Sequence, residues 1–247
     1  KIPANRLPIS TYCHLRRANA PHIQTRKSVK HMNDFLIQDG QTLLTQGDSI
    51  TDAGRRGDAA PYGNGYVSIF RELITAMYPE HDITLINKGI GGNRVTDLQE
   101  RWDDDTIRHQ PDWLTIMIGI NDLHGYLRNP AEPSAVSPER FREGYDWILS
   151  RTRSETDARI VLLEPFYFSI SAKDTFRSRV LELLPEYIGI VHEMAEKYDT
   201  LLVETQRVCS YHLTFRDAEQ FCPEPVHPYR SGHLIIALEL LKTLQGM

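Results

Sequence analysis

After residue 40 the chain alternates between short apolar runs of strand-like composition and longer segments with the helical period. This alternation is typical of βαβ units, which build a parallel sheet covered by helices. It predicts five strands, at Thr42–Thr45, Ile83–Asn87, Trp113–Ile118, Arg159–Leu163 and Leu201–Glu204. It also predicts helices at Gly65–Tyr78, Arg94–Trp102, Pro138–Ser154, Arg177–Tyr198 and Ser231–Leu244.

One predicted helix has a recognisable beginning. Ser137 followed by Pro138 is typical of an N-cap and a first helical residue. Glu139 and Glu143 place negative charge toward the positive N-terminal end of this helix.

The ends of three predicted strands lead directly into polar segments, at 47–49, 88–93 and 119–122. In an open α/β sheet, ligands bind beyond the carboxyl ends of the strands. We therefore expect the three segments to converge at one edge of the sheet. The connections 52–64, 119–136 and 206–229 are too long or too polar for simple links, and we expect them to be loops.

Composition and charge narrow the class of protein. With 40% hydrophobic and 25% charged residues, the 247-residue chain is globular, and one domain with a large core is the simplest organisation. Residues 1–33 hold seven of the 28 basic residues and no acidic residue, which leaves 21 basic against 33 acidic residues in the remainder. This acidic body argues against a nucleic-acid partner, because phosphate binding depends on lysine and arginine.

The N-terminal segment 1–31 is basic and lacks a hydrophobic period, whereas Met32 opens a segment that runs into the first strand. We interpret 1–31 as an extension that is disordered or vector-derived, and 32–247 as the folded domain. The start has no apolar signal region, and no apolar run approaches the roughly 18 residues that span a membrane. These features predict a soluble protein without a membrane partner.

Cys13, Cys209 and Cys222 cannot all pair within one chain and show no C-x-x-C spacing. A bridge between Cys209 and Cys222 stays open, but reduced thiols are the simpler state. We therefore predict a cytoplasmic location.

Ser49 and His227 are candidates for a nucleophile and its base. Ser49 follows an apolar strand and Gly47, so its hydroxyl can project from a tight turn beyond the sheet. His227 stands between prolines just before the last helix, three residues after Glu224. A carboxylate at Glu224 would hold one ring nitrogen and direct the other to the serine.

Attack on an ester carbonyl also needs hydrogen-bond donors for the developing oxyanion. Gly92 can bring a main-chain N–H close to a ligand because it has no side chain. Asn121 supplies an amide donor. With these two residues, the sequence supplies a nucleophile, a base, an orienting carboxylate and oxyanion donors, which are the groups that acyl transfer requires.

Four blocks in order resemble the SGNH hydrolases, also called GDSL esterases and lipases: GDSITD at 47–52, NKGIGGN at 87–93, GIND at 119–122 and EPVHP at 224–228. The resemblance covers roughly 43–244. It implies Ser49 as nucleophile, His227 as base, and an oxyanion hole of the Ser49 N–H, Gly92 and Asn121. It also implies the SGNH fold, a three-layer α/β/α domain with a five-stranded parallel, flavodoxin-like sheet.

Within that family the chain is most similar to bacterial GDSL-type acetylxylan esterases, through GYV at 65–67, PDW at 111–113, IMIGIND at 116–122 and PFY at 165–167. The resemblance implies hydrolysis of short, acetyl-type esters of carbohydrates such as xylan, without a metal or organic cofactor, and leaves a homo-oligomer open. The alternatives are a general carboxylesterase, a lysophospholipase, a thioesterase or a catalytically weak carbohydrate-binding protein.

The chain departs from the family at one catalytic position. The family has D-x-x-H, whereas this chain has Glu224 before His227. Glutamate is one methylene longer and can still orient an imidazole. The alternative orienting groups are Asp217, Glu219 and a backbone carbonyl.

Other polar and aromatic residues have simpler interpretations. We expect Asp48 and Asp122 to hydrogen-bond loop backbone, His233 to be structural, and the acidic run 103–105 to be a solvated surface rather than a cation site. Most aromatic residues are expected in the core. Tyr62 and Tyr126, in the predicted loops near the site, are the candidates for acyl or sugar contact.

Two other enzyme classes fit poorly. A dinucleotide-binding site would need a glycine where Arg94 stands, and the sequence contains no P-loop motif. An α/β-hydrolase would need a G-x-S-x-G elbow, whereas Ser49 lies in Gly-Asp-Ser-Ile-Thr.

Overall fold

The computed structural model describes residues 35–170 and 175–246, and its centre is one parallel sheet. The strand order is β2-β1-β3-β4-β5, which is the flavodoxin-like order predicted from the sequence. The strands are β1 Thr42–Gly47, β2 Thr84–Asn87, β3 Trp113–Met117, β4 Arg159–Leu163 and β5 Leu201–Val203.

Helices cover both faces of the sheet, which gives the predicted three-layer architecture. On one face of the sheet, α8 packs against α2 and α7. On the other face, α5 packs between α3 and α6, and α4 packs against α6. The helices are α1 Ser49–Asp52, α2 Tyr66–Met77, α3 Val95–Asp105, α4 Ile120–Arg128, α5 Pro138–Glu155, α6 Thr175–Lys197, α7 Thr205–Leu213 and α8 Arg230–Leu244.

The central strands are buried on both faces, as expected for a parallel sheet between helices. Every residue of β3 is buried, and so are the last four residues of β4. Aromatic side chains fill the space between sheet and helices, and Trp102 and Trp113 are fully buried. Trp147 is 43% exposed and so falls outside this core.

The start of α5 agrees with the prediction. The Ser137 side chain accepts a hydrogen bond from the Arg140 main-chain N–H at 3.3 Å, and Pro138 occupies the first helical position. This arrangement satisfies one of the donors that a helix leaves unpaired at its beginning.

Two of the three connections predicted as loops contain helices. The segment 119–136 holds α4, and α7 begins just before 206 and extends to Leu213. Helix α4 carries Gly125 in its interior, which weakens the local helical signal, and its packing against α6 stabilises it. The third connection, 52–64, consists of turns after Asp52.

Within 35–170 and 175–246, no helix has both the length and the apolar character required to cross a membrane. The predicted N-terminal extension 1–31 lies outside the described residues.

Candidate active site

Three segments that follow β1, β2 and β3 meet at the carboxyl edge of the sheet. A β-carbon built on Gly91 would lie 3.7 Å from the β-carbon of Ser49. Asn121 donates a hydrogen bond from Nδ2 to the main-chain oxygen of Asn93 at 3.1 Å. The segments 47–49, 88–93 and 119–122 therefore form one continuous site.

Ser49 begins the four-residue helix α1 directly after β1. The Asp48 carboxylate caps this helix by accepting the Ile50 main-chain N–H at 3.0 Å. A β-carbon built on Gly47 would lie only 2.6 Å from the main-chain oxygen of Met117, so the turn fits only glycine there. The close approach lets the chain turn sharply and leaves Ser49 half-exposed beyond the sheet.

A chain of hydrogen bonds links Ser49, His227 and Glu224. Ser49 Oγ lies 2.8 Å from His227 Nε2, and His227 Nδ1 lies 2.5 Å from Glu224 Oε1. When Nδ1 carries the proton, it donates to the carboxylate and leaves Nε2 to accept the Ser49 hydroxyl proton. Neither Asp217 nor Glu219 is the partner of Nδ1 in this arrangement.

The Glu224 carboxylate is also fixed by the backbone of its own loop. Oε1 accepts the His227 main-chain N–H at 2.8 Å, and Oε2 accepts the Val226 main-chain N–H at 3.0 Å. Both oxygens are therefore held, and the extra methylene of glutamate does not leave the carboxylate free to rotate away from the imidazole.

Glu224 and His227 each shift the pKa of the other toward its charged form. Partial burial acts to raise the pKa of Glu224, but the hydrogen bonds from the His227 imidazole and two main-chain N–H groups outweigh it and lower the pKa to about 2. The hydrogen bond to Glu224 raises the pKa of His227 above its ordinary value, against the effect of partial burial. Glu224 is therefore an anion at neutral pH, and it stabilises a proton on the imidazole.

Gly92 and Asn121, the residues predicted to donate to an oxyanion, lie in the segments that follow β2 and β3. Gly92 has φ of +84°, which favours glycine, and a β-carbon built there would meet no atom within 4 Å. Asn121 lies in the first turn of α4, and its amide nitrogen carries two hydrogens. One is directed to the main-chain oxygen of Asn93, which leaves the other for a ligand.

Arg101, which the sequence analysis did not single out, braces the loop after β2. Its Nε donates to Asn93 Oδ1 at 2.8 Å, and its Nη1 donates to the Lys88 main-chain oxygen at 2.9 Å. Asp105 in turn accepts from Nη1 at 2.9 Å. Asn93 lies outside α3 and eight residues before Arg101, so no sequence pattern predicted this contact.

Asp48 and Asp122 are buried carboxyl groups beneath the site. Burial raises the pKa of each to about 7. Asp48 accepts the Ile50 N–H, and Asp122 Oδ1 accepts the Val95 main-chain N–H at 2.9 Å. Both bind backbone as predicted, but in the first turns of α1 and α3 and not in loops. Asp122 Oδ2 has no hydrogen-bond partner among the described residues.

His124 is a second residue near the site that the sequence analysis missed. Its ring contacts Tyr167 and Phe176 edge-on, with centroids 5.9 and 5.2 Å away. Burial lowers the pKa of His124 to about 4, with smaller effects from Arg128 and the Glu224–His227 pair. It lies three residues after Asn121 on α4, so predicting this helix would have placed both residues on one face.

Of the two tyrosines predicted to lie in loops, one needs correction. Tyr126 lies on α4 and not in a loop, because the segment after 119 is helical. Tyr62 does lie in the turns before α2, where its half-buried ring packs under the Arg71 guanidinium at 4.7 Å. Within the described part of the chain, neither phenol hydrogen-bonds to Ser49 or His227.

The remaining candidate polar residues have separate partners. His233 is buried and accepts the Tyr66 main-chain N–H at 3.2 Å, and burial lowers its pKa to about 4, which agrees with a structural role. The three carboxylates at 103–105 bind different basic side chains. The pairs are Asp103 with Arg151, Asp104 with Arg108, and Asp105 with Lys88 and Arg101. Asp105 is only 23% exposed, so the run is not uniformly solvated.

Cys209 and Cys222 are buried free thiols, so the open alternative of a bridge between them is not realised. Burial raises the pKa of Cys222 to about 11, so this thiol is protonated at neutral pH. Cys13 lies outside the described residues. The cytoplasmic location stays a prediction.

Residues 46–235 match the GDSL-like Lipase/Acylhydrolase family. The fold and the site define a carboxylic ester hydrolase. The chain belongs to the GDSL-like lipase/acylhydrolase family, as its four blocks predicted.

The chain is similar to an acetylxylan esterase of Geobacillus stearothermophilus, with 35% identity over 216 residues, 84% of this chain and 95% of that protein. The crystal structure of that organism's acetylxylan esterase Axe2 matches with a TM-score of 0.77 and 34% identity, over 85% of this chain and 96% of the other. LAE5, an α/β hydrolase enzyme from the metagenome of Lake Arreo in Spain, matches with a TM-score of 0.77 and 30% identity, over 85% and 97%.

Proposed function

We propose that the protein is a serine esterase that removes acetyl groups from acetylated xylan or xylo-oligosaccharides. The observation that carries this proposal is the hydrogen-bond chain from Ser49 through His227 to Glu224. The similarity to an acetylxylan esterase over 84% of the chain supports the substrate class. The presence among the matching structures of Axe2 catalytic mutants that lack a serine, an aspartate or a histidine supports a triad mechanism.

Acylation begins when His227 Nε2 takes the hydroxyl proton of Ser49, to which it is already hydrogen-bonded. Oγ attacks the acetyl carbonyl carbon, and the carbonyl π electrons move to the oxygen. The resulting imidazolium stays paired with the Glu224 anion. The tetrahedral intermediate then collapses, the bond to the sugar oxygen breaks, and His227 returns its proton to that oxygen.

The oxyanion is held by the main-chain N–H groups of Ser49 and Gly92 and by the free amide hydrogen of Asn121. Charge develops on this oxygen only during reaction, so donors fixed in place beforehand favour the transition state over the bound ester. Deacylation repeats the sequence with water. His227 takes a proton from water as the water oxygen attacks the acetyl-serine carbonyl, the bond to Ser49 Oγ then breaks, and His227 returns the proton to Oγ. Acetic acid leaves and ionises to acetate in solution. Every step uses groups of this chain and water.

The first test is hydrolysis of p-nitrophenyl acetate by the wild type and by Ser49→Ala. We expect kcat to fall by about 10⁴-fold or more, because no other group replaces the nucleophile. Ser154→Ala, on an exposed turn of α5, is a matched control that leaves kcat unchanged. Retention of activity in Ser49→Ala would overturn the proposed mechanism.

The substrate class needs a second measurement. Acetate release from acetylated xylo-oligosaccharide is compared with hydrolysis of p-nitrophenyl esters of two to twelve carbons and of an acyl-CoA. We expect acetyl esters to give the highest kcat/KM, and the oligosaccharide to be deacetylated. A preference for long acyl chains or for the thioester would favour a lysophospholipase or thioesterase instead.

A further inference from the structure

A cluster of basic residues lies beside the nucleophile although the body of the chain is acidic. The cationic cluster consists of Arg55, Arg56, Lys88 and Arg101. Its acidic partners are Asp52, which binds Arg56, and Asp105, which binds both Lys88 and Arg101. Four basic side chains therefore share two ion-pairing carboxylates, with Asp97 acting on Arg101 as a further acidic group. The protein as a whole has 33 acidic and 28 basic residues.

Three members of this cluster have evident structural roles. Arg101 and Lys88 are mostly buried, with side chains 15% and 22% exposed, and both bind Asp105. Arg55 Nε donates to the Gly89 main-chain oxygen at 2.6 Å. Arg56 differs, because 54% of its side chain is exposed.

The Arg56 guanidinium is held in a defined orientation. Its Nε and Nη2 both lie 2.8 Å from one carboxylate oxygen, Asp52 Oδ2. Its Nη1 makes no hydrogen bond to any residue within 35–170 or 175–246. The Asp52 side chain is only 8% exposed, so the pair compensates the charge of a buried carboxylate, while Nη1 and the exposed part of the guanidinium stay available to a ligand.

Arg56 is separated from the nucleophile by one glycine. Asp52 Oδ2 also accepts the Gly91 main-chain N–H at 3.0 Å. A β-carbon built on Gly91 would lie 3.7 Å from the Ser49 β-carbon and 3.8 Å from Arg56 Nη2. The β-carbon position of residue 91 therefore lies within 4 Å of both the guanidinium and the serine, and glycine places no side chain there.

We propose that Arg56 binds a carboxylate carried by the alcohol part of the ester, namely a uronic acid substituent beside the acetylated sugar. This inference rests on the proposed function and narrows its substrate class. A neutral acetyl group does not use a positive charge, and Gly92 and Asn121 already serve the oxyanion. A guanidinium matches the planar geometry of a carboxylate and forms charge-assisted hydrogen bonds with it.

The test compares wild type and Arg56→Gln on two acetylated xylotrioses, one neutral and one carrying a 4-O-methylglucuronosyl group. We expect the ratio of kcat/KM for the acidic over the neutral substrate to fall about tenfold in Arg56→Gln, equivalent to about 1.4 kcal/mol, mainly through KM. We also expect the wild-type ratio to fall as NaCl is raised from about 50 mM to 500 mM, because salt screens a partly exposed charge pair.

Arg108→Gln is the matched control, because Arg108 is also exposed and also pairs with a carboxylate four residues away. It lies just before the start of β3, at the edge of the sheet opposite Ser49. We expect it to keep the wild-type ratio. An equal loss on both substrates in Arg56→Gln would overturn the proposal and assign Arg56 a positioning role through Asp52 and Gly91. An unchanged ratio would overturn it as well.

A binding measurement separates this inference from the proposed function. Ser49→Ala, with and without Arg56→Gln, is titrated calorimetrically with the acidic acetylated xylotriose. We expect about tenfold weaker binding when Arg56 is replaced. Equal affinities would overturn the role of Arg56 while esterase activity on p-nitrophenyl acetate stands, whereas a wild type inactive on every ester would overturn the proposed function itself.

Discussion

The side-chain amide of Asn121 donates a hydrogen bond to the main-chain oxygen of Asn93 at 3.1 Å, across the gap between the loops after β3 and β2. Arg101 holds the other end of Asn93 by donating to its side-chain oxygen at 2.8 Å. Asn93 therefore links a brace on α3 to a proposed oxyanion donor on α4. The donor is fixed before a substrate arrives, which is the condition for effective electrostatic stabilisation of a transition state.

Replacement of Asn121 by alanine should lower kcat for p-nitrophenyl acetate by about 100- to 1,000-fold and change KM little, because the lost hydrogen bond acts mainly in the transition state. Steady-state kinetics with circular dichroism as a folding check would measure this. Asn129→Ala, at the exposed end of α4, is the control. A loss confined to KM would remove Asn121 from the oxyanion hole.

The pH dependence of kcat/KM should report the Glu224–His227 hydrogen bond. His227 must be neutral to act as a base, and Glu224 raises its pKa, so activity should fall as pH drops through a value above the ordinary 6.5 of histidine. In Glu224→Gln the anion is absent, so we expect the acid limb to move to lower pH while the plateau falls by about 10- to 10⁴-fold. An unshifted acid limb would contradict the assignment.

Glu224→Ala should also lower kcat strongly and leave folding intact, because the Glu224 side chain is 44% exposed. The kcat of this variant is measured beside that of Glu219→Ala, which lies in the same region of the chain and tests the alternative orienting residue. Near-full activity of Glu224→Ala would exclude it from the triad.

Asp122 should make stability depend on pH. Burial raises its pKa from 3.8 to about 7, so between these values the folded protein retains a proton that the unfolded chain releases. Stability from this group is therefore highest below 3.8 and falls as pH rises toward 7. Asp122→Asn removes the titration, so we expect its free energy of unfolding, relative to that of wild type, to be about 1–3 kcal/mol higher, that is more stabilising, at pH 8 than at pH 5.

Urea denaturation at the two pH values would measure this difference. Asp104→Asn, whose side chain is 69% exposed, is the control for a surface carboxyl group. If the difference between Asp122→Asn and wild type is the same at both pH values, the buried carboxyl does not titrate in this window.

Gly89 should tolerate no side chain. A β-carbon there would lie 2.3 Å from the main-chain nitrogen of Asp52 and 2.8 Å from the β-carbon of Thr51. We expect Gly89→Ala to lower the free energy of unfolding by about 1–3 kcal/mol or more, as overpacking does. Gly189→Ala, in the exposed interior of α6 with no atom within 4 Å, should instead raise it by about 0.5–1 kcal/mol. Equal denaturation midpoints for the two variants would contradict both expectations.

The strands were predictable from sequence because their burial leaves continuous apolar runs. Arg159–Leu163 agrees with β4 at both ends, and the other four predicted strands differ from the observed ones by one or two residues at an end. Helices α4 and α7 were not predicted, because their stability comes from packing against α6 and α8 and not from a clear local pattern. The misplacement of Tyr126 in a loop follows directly from the missed α4.

The candidate site was predictable to the extent that its residues lie in short blocks with recognisable chemistry. Ser49, Gly92, Asn121, Glu224 and His227 belong to such blocks. The contacts of Arg101 and Arg56 were not predictable, because they depend on the distance between loops that are close only in the folded chain. Single arginines outside a motif carry no sequence signal for such a role.

Glu224 and His227 bind each other within one stretch of four residues, through both side chains and main chain. Among the described residues, the triad spans the fold through the contact between His227 and Ser49, which are 178 residues apart. The Phe168 main-chain N–H also ties this stretch to the segment after β4 by donating to the Pro225 main-chain oxygen at 2.8 Å. Mild heat or denaturant that releases the 224–227 stretch would therefore separate the Glu224–His227 pair from Ser49, while the hydrogen bonds within that pair stay formed. Esterase activity would then be lost before the helical circular dichroism signal. Activity would return on cooling, because the Glu224–His227 pair needs only to bind Ser49 again.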